Sequence, residues 1–251
     1  MTPDIDGREE AGAGRGVSVL GTPHLHLRDT DSTNDRARAL ATAGAPHGTL
    51  ITAARQSAGR GRQGRRWSAP PGRALLASLV LHHPPPLLPL LAAVAVAEVA
   101  GRAAQIKWPN DVLLDRAKVA GILVEGRPQQ GWAVLGIGLN VAVRMSDLPP
   151  QLRDRAASLG LEPSALPTVL AELISGLERW LSAPAPSVLD AWRSRDALLG
   201  QTVSWAQGQG VAAGIDGNGR LVIERAAGGR ETLDAGEVHL GDQPALTAPA
   251  D

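Results

Sequence analysis

The pattern of apolar and polar positions divides the chain into a region of mixed helices and strands followed by a region of short strands. Apolar residues three and four positions apart predict helices, whereas short apolar or alternating runs between turn residues predict strands. Tight polar turns between successive strands favour an antiparallel meander. The predicted strands are 49–54, 74–81, one on each side of 109–111, 118–125 and 132–137, and the predicted helices are 35–43, 87–102, 166–181 and 188–199.

Gly200 marks the boundary between the two regions. After it, short alternating strands and glycine-rich turns predict a small β-barrel or sandwich. The first residues are acidic and glycine-rich without the apolar core of a signal peptide, which predicts a disordered leader. We therefore expect an α+β fold with a mixed or antiparallel central sheet flanked by helices. The predicted boundaries are a leader at 1–22, the main domain at 23–199, a β module at 200–242 and a tail at 243–251.

The first predicted helix begins after Asp31-Ser32-Thr33-Asn34. Ser32 and Asp35 have the spacing of a capping box, in which each side chain accepts a backbone N–H at the helix start. A helix N-terminus also presents free N–H donors and a positive dipole end, which suits an anion. The sequence is compatible with a plain helix start as well as with a binding site.

Composition excludes several classes of protein. The chain of 251 residues has 25 basic and 25 acidic residues, so a general nucleic-acid-binding surface is not expected. It has no cysteine, which excludes disulfides, thiolate metal sites and a cysteine nucleophile. The longest apolar run, 87–97, is too short to cross a bilayer. We expect a soluble cytoplasmic protein whose core uses Leu, Val, Ile, Ala and six Trp, since Phe and Tyr are absent.

The stretch 55–67, RQSAGRGRQGRRW, concentrates arginine and glycine between two predicted strands. Arginine binds phosphate and carboxylate oxygens two at a time, and glycine lets backbone N–H groups approach a ligand. Residues 36–97 contain eight arginines and no Asp or Glu, although the whole chain is neutral. This segregation predicts a loop that closes over an anion.

Two nucleotide-binding motifs can be compared with this loop. GRGRQG at 59–64 matches the spacing G-x-G-x-x-G, but the following Trp-Ser-Ala-Pro-Pro-Gly does not start the helix that a Rossmann fingerprint requires. The sequence has no G-x-x-x-x-G-K-S/T, so a P-loop is excluded. A disordered arginine/glycine linker that binds RNA remains the alternative, and the flanking strands favour the anion site over it.

Lysine is rare in this chain. Lys107 and Lys118 are the only two, and they lie within twelve residues of each other. A lysine at the start of an apolar strand is usually solvated, but the use of arginine elsewhere indicates that Lys118 has a specific role as a compact point charge. Asp111 and Asn140 would lie at the same end of the meander if its strands pair in sequence order. A carboxylate beside phosphates commonly holds Mg²⁺. A purely structural role in forming the turns would explain Asp111 and Asn140 equally well.

Five sequence blocks together resemble the signature blocks of biotin–protein ligases. The resemblance covers about residues 25–240, in the same order and with similar spacing, and the GRGRxG loop with KWPND is the most specific pair. It implies a catalytic domain like those of class II synthetases and a small C-terminal SH3-like β-barrel. The blocks are STN at 32–34, QSAGRGRQGRRW at 56–67, KWPND at 107–111, KVAGILVE at 118–125 and GIGLNV at 136–141.

The resemblance implies an enzyme that joins biotin to ATP as biotinyl-5′-AMP and passes the biotinyl group to a lysine of a biotin carboxyl carrier domain. ATP and Mg²⁺ would take part, with no tightly bound prosthetic group. Lys118 would contact the reacting carboxyl oxygen, Trp67 would stack on adenine, and Asp111 would support Mg²⁺ and phosphate. The implied catalytic residues are Lys118, Arg60 and Arg62; the biotin-binding residues are Ser32, Thr33, Asn34, Gln56, Arg60, Gly61, Arg62 and Lys118; the nucleotide-binding residues are Gly59, Arg62, Trp67, Lys107, Asn110, Asp111 and Asn140.

Several alternatives remain open from the sequence. A lipoate-type ligase shares the fold, and a catalytically silent interaction module is a further possibility. The predicted leader is too short for the helix-turn-helix domain of family members that act as repressors, so no sequence-specific DNA binding is expected. A free strand of the central sheet could pair with a second copy or with the carrier, which is consistent with a monomer or a weak homodimer.

Overall fold

A computed structural model describes residues 20–127, 130–226, 228–234, 236 and 238–240. Within these residues, seven strands form one sheet in the order β1-β2-β3-β7-β6-β5-β4. β1 runs parallel to β2, and all other neighbours are antiparallel, so the sheet is mixed as expected. The strands are β1 (His24–Thr30), β2 (Leu50–Gln56), β3 (Ala74–His82), β4 (Gln105–Lys107), β5 (Asp111–Leu114), β6 (Ala117–Arg127) and β7 (Trp132–Asn140).

The helices cover both faces of this sheet. The apolar helix that begins at Leu88 packs against one face together with the helices that begin at Leu166 and Ala185. All three share one hydrophobic core. The first helix packs on the opposite face over β3 and β7, where Ala37, Ile51 and Val80 form a smaller cluster. Because the first helix covers only part of that face, the remainder is available for a site. The helices are α1 (Thr33–Thr42), α2 (Leu88–Ala100), α3 (Pro150–Arg153), α4 (Leu166–Leu181) and α5 (Ala185–Arg193).

The C-terminal module is a second sheet of five antiparallel strands in the order β11-β10-β9-β8-β12. Its strands are amphipathic: Val203, Ala212, Leu221 and Ile223 are buried in the main core, whereas alternate positions are more exposed. The all-β module predicted after Gly200 is therefore confirmed. Its strands are β8 (Thr202–Trp205), β9 (Gly208–Ile215), β10 (Leu221–Glu224), β11 (Arg230–Leu233) and β12 (His239–Leu240).

The predicted meander is confirmed, since β4, β5, β6 and β7 pair in sequence order. Its register sets Asp111 opposite Gly121, and Gly121 opposite Gly138. Asp111 begins β5 and Asn140 ends β7. Because β5 and β7 are both antiparallel to β6, they run in the same direction, and these residues lie at opposite strand ends. The expectation that sequential strand order sets them at the same end of the meander is therefore wrong, and the register alone sets Asp111 within two residues of the level of Asn140. β1 was not predicted, because its sequence HLHLRDT follows directly on the segment interpreted as a leader.

Two boundary predictions are wrong. The last predicted helix was placed at 188–199, but α5 ends at Arg193 because the chain then turns to pair with the edge strand β4. Ile106 N–H donates to Arg195 O at 2.7 Å, and Ala197 N–H donates to Ile106 O at 3.0 Å. At the other end, Leu20 is buried and its N–H donates to Glu178 Oε1 at 3.1 Å, so 20–22 are not disordered. The rest of the predicted leader and the predicted tail lie outside the described residues.

Candidate functional site

Three glycines form the floor of a cavity on the sheet face opposite α2. Gly121 on β6 lies beside Gly138 on β7, and Gly136 is two residues back on the same face. A Cβ on Gly136 would overlap the amide of Asn34, and one on Gly138 would lie 2.5 Å from the indole of Trp67. Glycine in a strand interior commonly marks such a close approach. The alternation Gly-Ile-Gly therefore lets two side chains lie directly on the sheet.

The N-terminus of α1 forms one wall of the cavity. Ser32 is the N-cap residue, but its side chain makes no cap hydrogen bond. Gln56, at the end of β2, satisfies the helix start instead: its Oε1 accepts the Thr33 N–H at 2.7 Å and the Thr33 hydroxyl at 3.0 Å. The capping box predicted from Ser32 and Asp35 is therefore wrong, because the carboxylate of Asp35 pairs with arginines.

A buried hydroxyl beneath this wall extends the hydrogen-bond network. Ser78 on β3 is fully buried, and its Oγ lies 2.8 Å from Thr33 Oγ1 and 2.6 Å from Asn34 Oδ1. Buried polar groups are stabilising only when they are paired, and here each one has a partner. The chain of contacts holds Thr33, Asn34 and Gln56 in fixed orientations at the cavity. Ser78 was not predicted as a site residue.

The same wall carries an ionised carboxylate just before the helix. Hydrogen bonds from the Ser32 N–H and the Thr30 hydroxyl lower the pKa of Asp31. Both bonds are accepted by Oδ1 and favour the charged form, because a hydrogen bond donated to a carboxylate stabilises its negative charge. Asp31 is thus ionised at neutral pH and anchors the turn that leads into α1.

The arginine/glycine stretch is a hairpin across the cavity. Gly61 N–H donates to Arg65 O at 2.7 Å and Trp67 N–H donates to Gly59 O at 2.9 Å, with a 3-10 turn at Arg62–Gly64. A Cβ on Gly59 would lie against the backbone of Trp67, so the two arms approach too closely for a larger residue. The prediction of a loop between two strands is confirmed.

Two arginines fasten this hairpin on opposite sides of the cavity. Arg60 lies 3.2 Å from Asp35 Oδ1 and 2.9 Å from Glu125 Oε1, on the side of α1. Arg62 donates to Asn110 Oδ1 at 3.2 Å, on the side of the turn between β4 and β5. Asn110 is itself held by its Nδ2 bond to Ile122 O at 2.8 Å. The hairpin thus spans the cavity from one wall to the other.

Lys118 and Trp67 lie beneath the hairpin on the glycine floor. Lys118 Nζ is 2.6 Å from Asp111 Oδ1 and 5.7 Å from the centre of the Trp67 ring, within cation–π range. The Nε1 of Trp67 is buried and has no hydrogen-bond partner among the described residues. The ammonium of Lys118 is therefore paired with a carboxylate and lies within cation–π range of an indole at one end of the cavity.

The cavity collects most of the residues singled out from the sequence, and three of them lie elsewhere. Gly59 shapes the hairpin, Lys107 lies on β4 opposite Asp111, and the Asn140 amide donates to Ala157 O at 2.9 Å. Asn140 does not line this cavity, because its side chain fixes the segment after α3, and its assignment to the nucleotide side stays a prediction. The predicted residues that line the cavity are Ser32, Thr33, Asn34, Gln56, Arg60, Gly61, Arg62, Trp67, Asn110, Asp111 and Lys118.

The donor set for a metal is small. Among the described residues no three His, Asp or Glu side chains are grouped as a metal site. Mg²⁺ is commonly held by one or two carboxylates, water and substrate phosphates, without a complete protein cage. Asp111 and Asn110 supply such a partial set at the cavity rim. Asp111 and Asn110 are therefore the residues present that would hold a magnesium ion brought in by a phosphate ligand.

This combination of mixed sheet, arginine hairpin and C-terminal β module defines a class of protein ligase. Residues 27–141 match the Biotin/lipoate A/B protein ligase family, and residues 198–241 match the Biotin protein ligase C terminal domain. The two matched regions correspond to the two sheets.

Comparison with individual relatives identifies the family within this class of ligases. The chain is 34% identical over 242 residues to the biotin–[acetyl-CoA-carboxylase] ligase of Paracoccus denitrificans, covering 86% of this chain and 99% of the relative. It is 33% identical to the enzyme of the same name from Mycobacterium tuberculosis, covering 96% and 97%. A biotin protein ligase of Aquifex aeolicus, solved in complex with biotin and ATP, superposes with a TM-score of 0.74 at 27% identity, covering 86% and 97%. The chain therefore belongs to the biotin–protein ligase family of enzymes.

Proposed function

We propose that this chain activates biotin with ATP and transfers the biotinyl group to one lysine of a biotin carboxyl carrier domain. A biotin carboxylate oxygen would attack the α-phosphorus of ATP, forming biotinyl-5′-AMP as the bond to pyrophosphate breaks. The lysine amine of the carrier would then attack the acyl carbon, lose a proton and release AMP. The observation that carries the proposal is the arginine hairpin fastened across a cavity that contains Lys118.

The first step brings two anions together, so it depends on positive charge and on exclusion of water. Arg60, Arg62 and Lys118 would offset the repulsion between the carboxylate and the triphosphate. A magnesium ion bound with the nucleotide near Asp111 would neutralise phosphate charge. The hairpin would then cover the acyl adenylate, which hydrolyses when water reaches it.

The cavity offers distinct surfaces for the two substrates. Ser32, Thr33, Asn34 and Gln56 supply oriented donors and acceptors that suit the urea-like ring of biotin. The indole of Trp67, supported from below by Gly138, would provide a stacking surface for adenine. Asn34 lies over Gly136, whereas Trp67 and Lys118 lie over Gly138 and Gly121. The biotin carboxylate would therefore extend from the α1 side toward Lys118 and meet the α-phosphate there.

The match to a biotin protein ligase C-terminal domain favours biotin over lipoate as the substrate. A polar pocket should also reject the dithiolane of lipoate, because its oriented polar groups would lose their partners. Isothermal titration calorimetry with biotin and with lipoate compares the two affinities directly. Lipoate binding as tight as biotin binding would contradict the proposal.

Lys118→Ala is expected to lower the rate of biotin-dependent pyrophosphate release by about 10²–10³, the usual loss when one stabilising donor is removed at the reacting centre. Lys118→Arg should not restore it, because a planar guanidinium is bulkier than an ammonium and cannot place a compact point charge between Trp67 and Asp111. Arg28→Ala, at a fully exposed side chain, is the control and should retain full activity.

Transfer is measured separately with labelled biotin, ATP and a carrier domain. Labelled carrier that loses its label when the acceptor lysine is replaced by arginine would support the second step. Pyrophosphate release that continues unchanged in both Lys118 variants would show that the role of this lysine is misassigned.

A further inference from the structure

Glu125 joins two parts of the cavity that are far apart in the sequence. It lies on β6 on the same face as the floor glycines, and 19% of its side chain is exposed. Its Oε2 accepts a hydrogen bond from Asn34 Nδ2 at 2.8 Å, and its Oε1 lies 2.9 Å from Arg60 Nη2. One carboxylate therefore contacts both the N-terminus of α1 and the hairpin.

The contact with Asn34 sets the orientation of that amide. A carboxylate accepts hydrogen bonds, so the amide must turn its NH₂ group toward Glu125 and its Oδ1 toward the Ser78 hydroxyl at 2.6 Å. Gly136 leaves no side chain that would displace the amide from the sheet. The side of Asn34 that faces a ligand is thus determined by Glu125 and Ser78 together.

The contact with Arg60 belongs to a small ionic cluster. Asp35 and Glu125 face Arg38 and Arg60, so the charges of the four groups cancel. Arg38 lies 3.5 Å from Glu125 Oε1, farther than Arg60 does. Glu125 is the less exposed of the two carboxylates, and an ion pair is screened less where water is excluded.

We propose that Glu125 is a positioning residue that holds the arginine hairpin over the cavity through Arg60 while it orients Asn34. The proposal extends the function proposed above. Glu125 does not touch the reacting atoms; it acts through a residue that covers the intermediate and one that faces biotin. Its loss should therefore increase the escape of the acyl adenylate more than it slows the formation of that intermediate.

Glu125→Gln separates the two contacts, because the amide oxygen can still accept from Asn34 while the ion pair with Arg60 is lost. Trypsin cleavage of the ligand-free protein within 62–66 should become about tenfold faster, the effect of losing one charge-assisted hydrogen bond. Glu162→Gln, the same change at an exposed position, is the control and should be cleaved at the wild-type rate. Equal cleavage of Glu125→Gln and the wild type would overturn the proposal.

The pairing with Arg60 is tested by a double-mutant cycle. In an Arg60→Gln background, Glu125→Gln should cause no further increase in cleavage within 62–66, because the contact is already absent. Additive effects would overturn the assignment. Hydrogen exchange over 58–66 gives the same comparison without protease. If Glu125→Gln does not fold, Arg60→Gln removes the other partner of the contact, and wild-type exchange in that variant would overturn the proposal.

The link to function is measured as the ratio of adenylate released into solution to pyrophosphate formed. This ratio should rise about tenfold in Glu125→Gln, the change expected from one lost charge-assisted hydrogen bond. It should stay unchanged in Glu162→Gln. Faster hairpin cleavage without a rise in the ratio would overturn the role of Glu125 in retention. Absence of biotin-dependent pyrophosphate release in the wild type would instead contradict the proposed function, while the cleavage comparison, which needs no substrate, would still decide the contact.

Discussion

At the scale of single residues, Gly138 determines how closely Trp67 approaches the sheet. A Cβ at this position would lie 2.5 Å from the indole, well inside contact distance. Gly138→Ala should therefore displace the ring and raise the KM for ATP about tenfold or more, since stacking on an aromatic ring is worth ~1–3 kcal/mol per base. Steady-state pyrophosphate release at varied ATP is the measurement.

Gly217→Ala is the matched control for this change. Gly217 is exposed, and a Cβ there would meet no atom within 4 Å. Its KM for ATP should equal that of the wild type. If Gly138→Ala also leaves this constant unchanged, Trp67 does not contact the nucleotide.

The individual residues also show what the sequence could predict. Lys118 was identifiable because lysine is rare in the chain, and Arg60 and Arg62 because arginine and glycine are concentrated in one stretch. Ser78 and Glu125 were not, although they hold Asn34 from positions 44 and 91 residues away. Each is an ordinary polar residue in an apolar strand, and its partner depends on strand order and register. Alternating glycine in β7 was the one visible sign of this network.

At the scale of elements, the start of α1 is held by a residue from another element. Gln56→Ala should lower the free energy of unfolding by about 1–3 kcal/mol, because it leaves the buried Thr33 N–H without a partner. Ser32→Ala should change it far less, because the Ser32 side chain makes no cap hydrogen bond. Urea denaturation without ligand compares the two. A larger effect for Ser32→Ala would restore the capping box predicted from the sequence.

Elements defined by local pattern were predicted well, and those defined by distant partners were not. α4 was predicted at its observed bounds, because its apolar residues recur at helical spacing and form the buried stripe that packs against α2. The strands of the meander pair with their sequence neighbours, so their order followed from the turns. β1 escaped prediction because it is an edge strand that pairs in parallel with β2 across α1, and parallel pairing leaves no turn signal between the partners.

At the scale of the whole molecule, one hydrogen bond connects the C-terminal module to the cavity. Trp108 precedes the turn that carries Asn110 and Asp111, and it is 2% exposed. Its Nε1 donates to Gly219 O at 3.1 Å, in the turn before β10. Gly219 also packs against Leu90 of α2. The module therefore supports the turn that holds Arg62 and Lys118.

Trp108→Phe tests this connection, because it keeps a buried aromatic ring and removes only the donor side of the indole. The buried Gly219 carbonyl would lose its partner, so the free energy of unfolding should fall by about 1–3 kcal/mol. The KM for ATP should rise as well, because Asn110 and Asp111 lose support from the module. Trp192→Phe is the matched control: this indole is fully buried, but its Nε1 has no hydrogen-bond partner among the described residues. Trp192→Phe should lose stability through packing alone and keep the wild-type KM for ATP. An equal rise in this KM for both variants would mean that the loss of ATP affinity comes from a general loosening of the core.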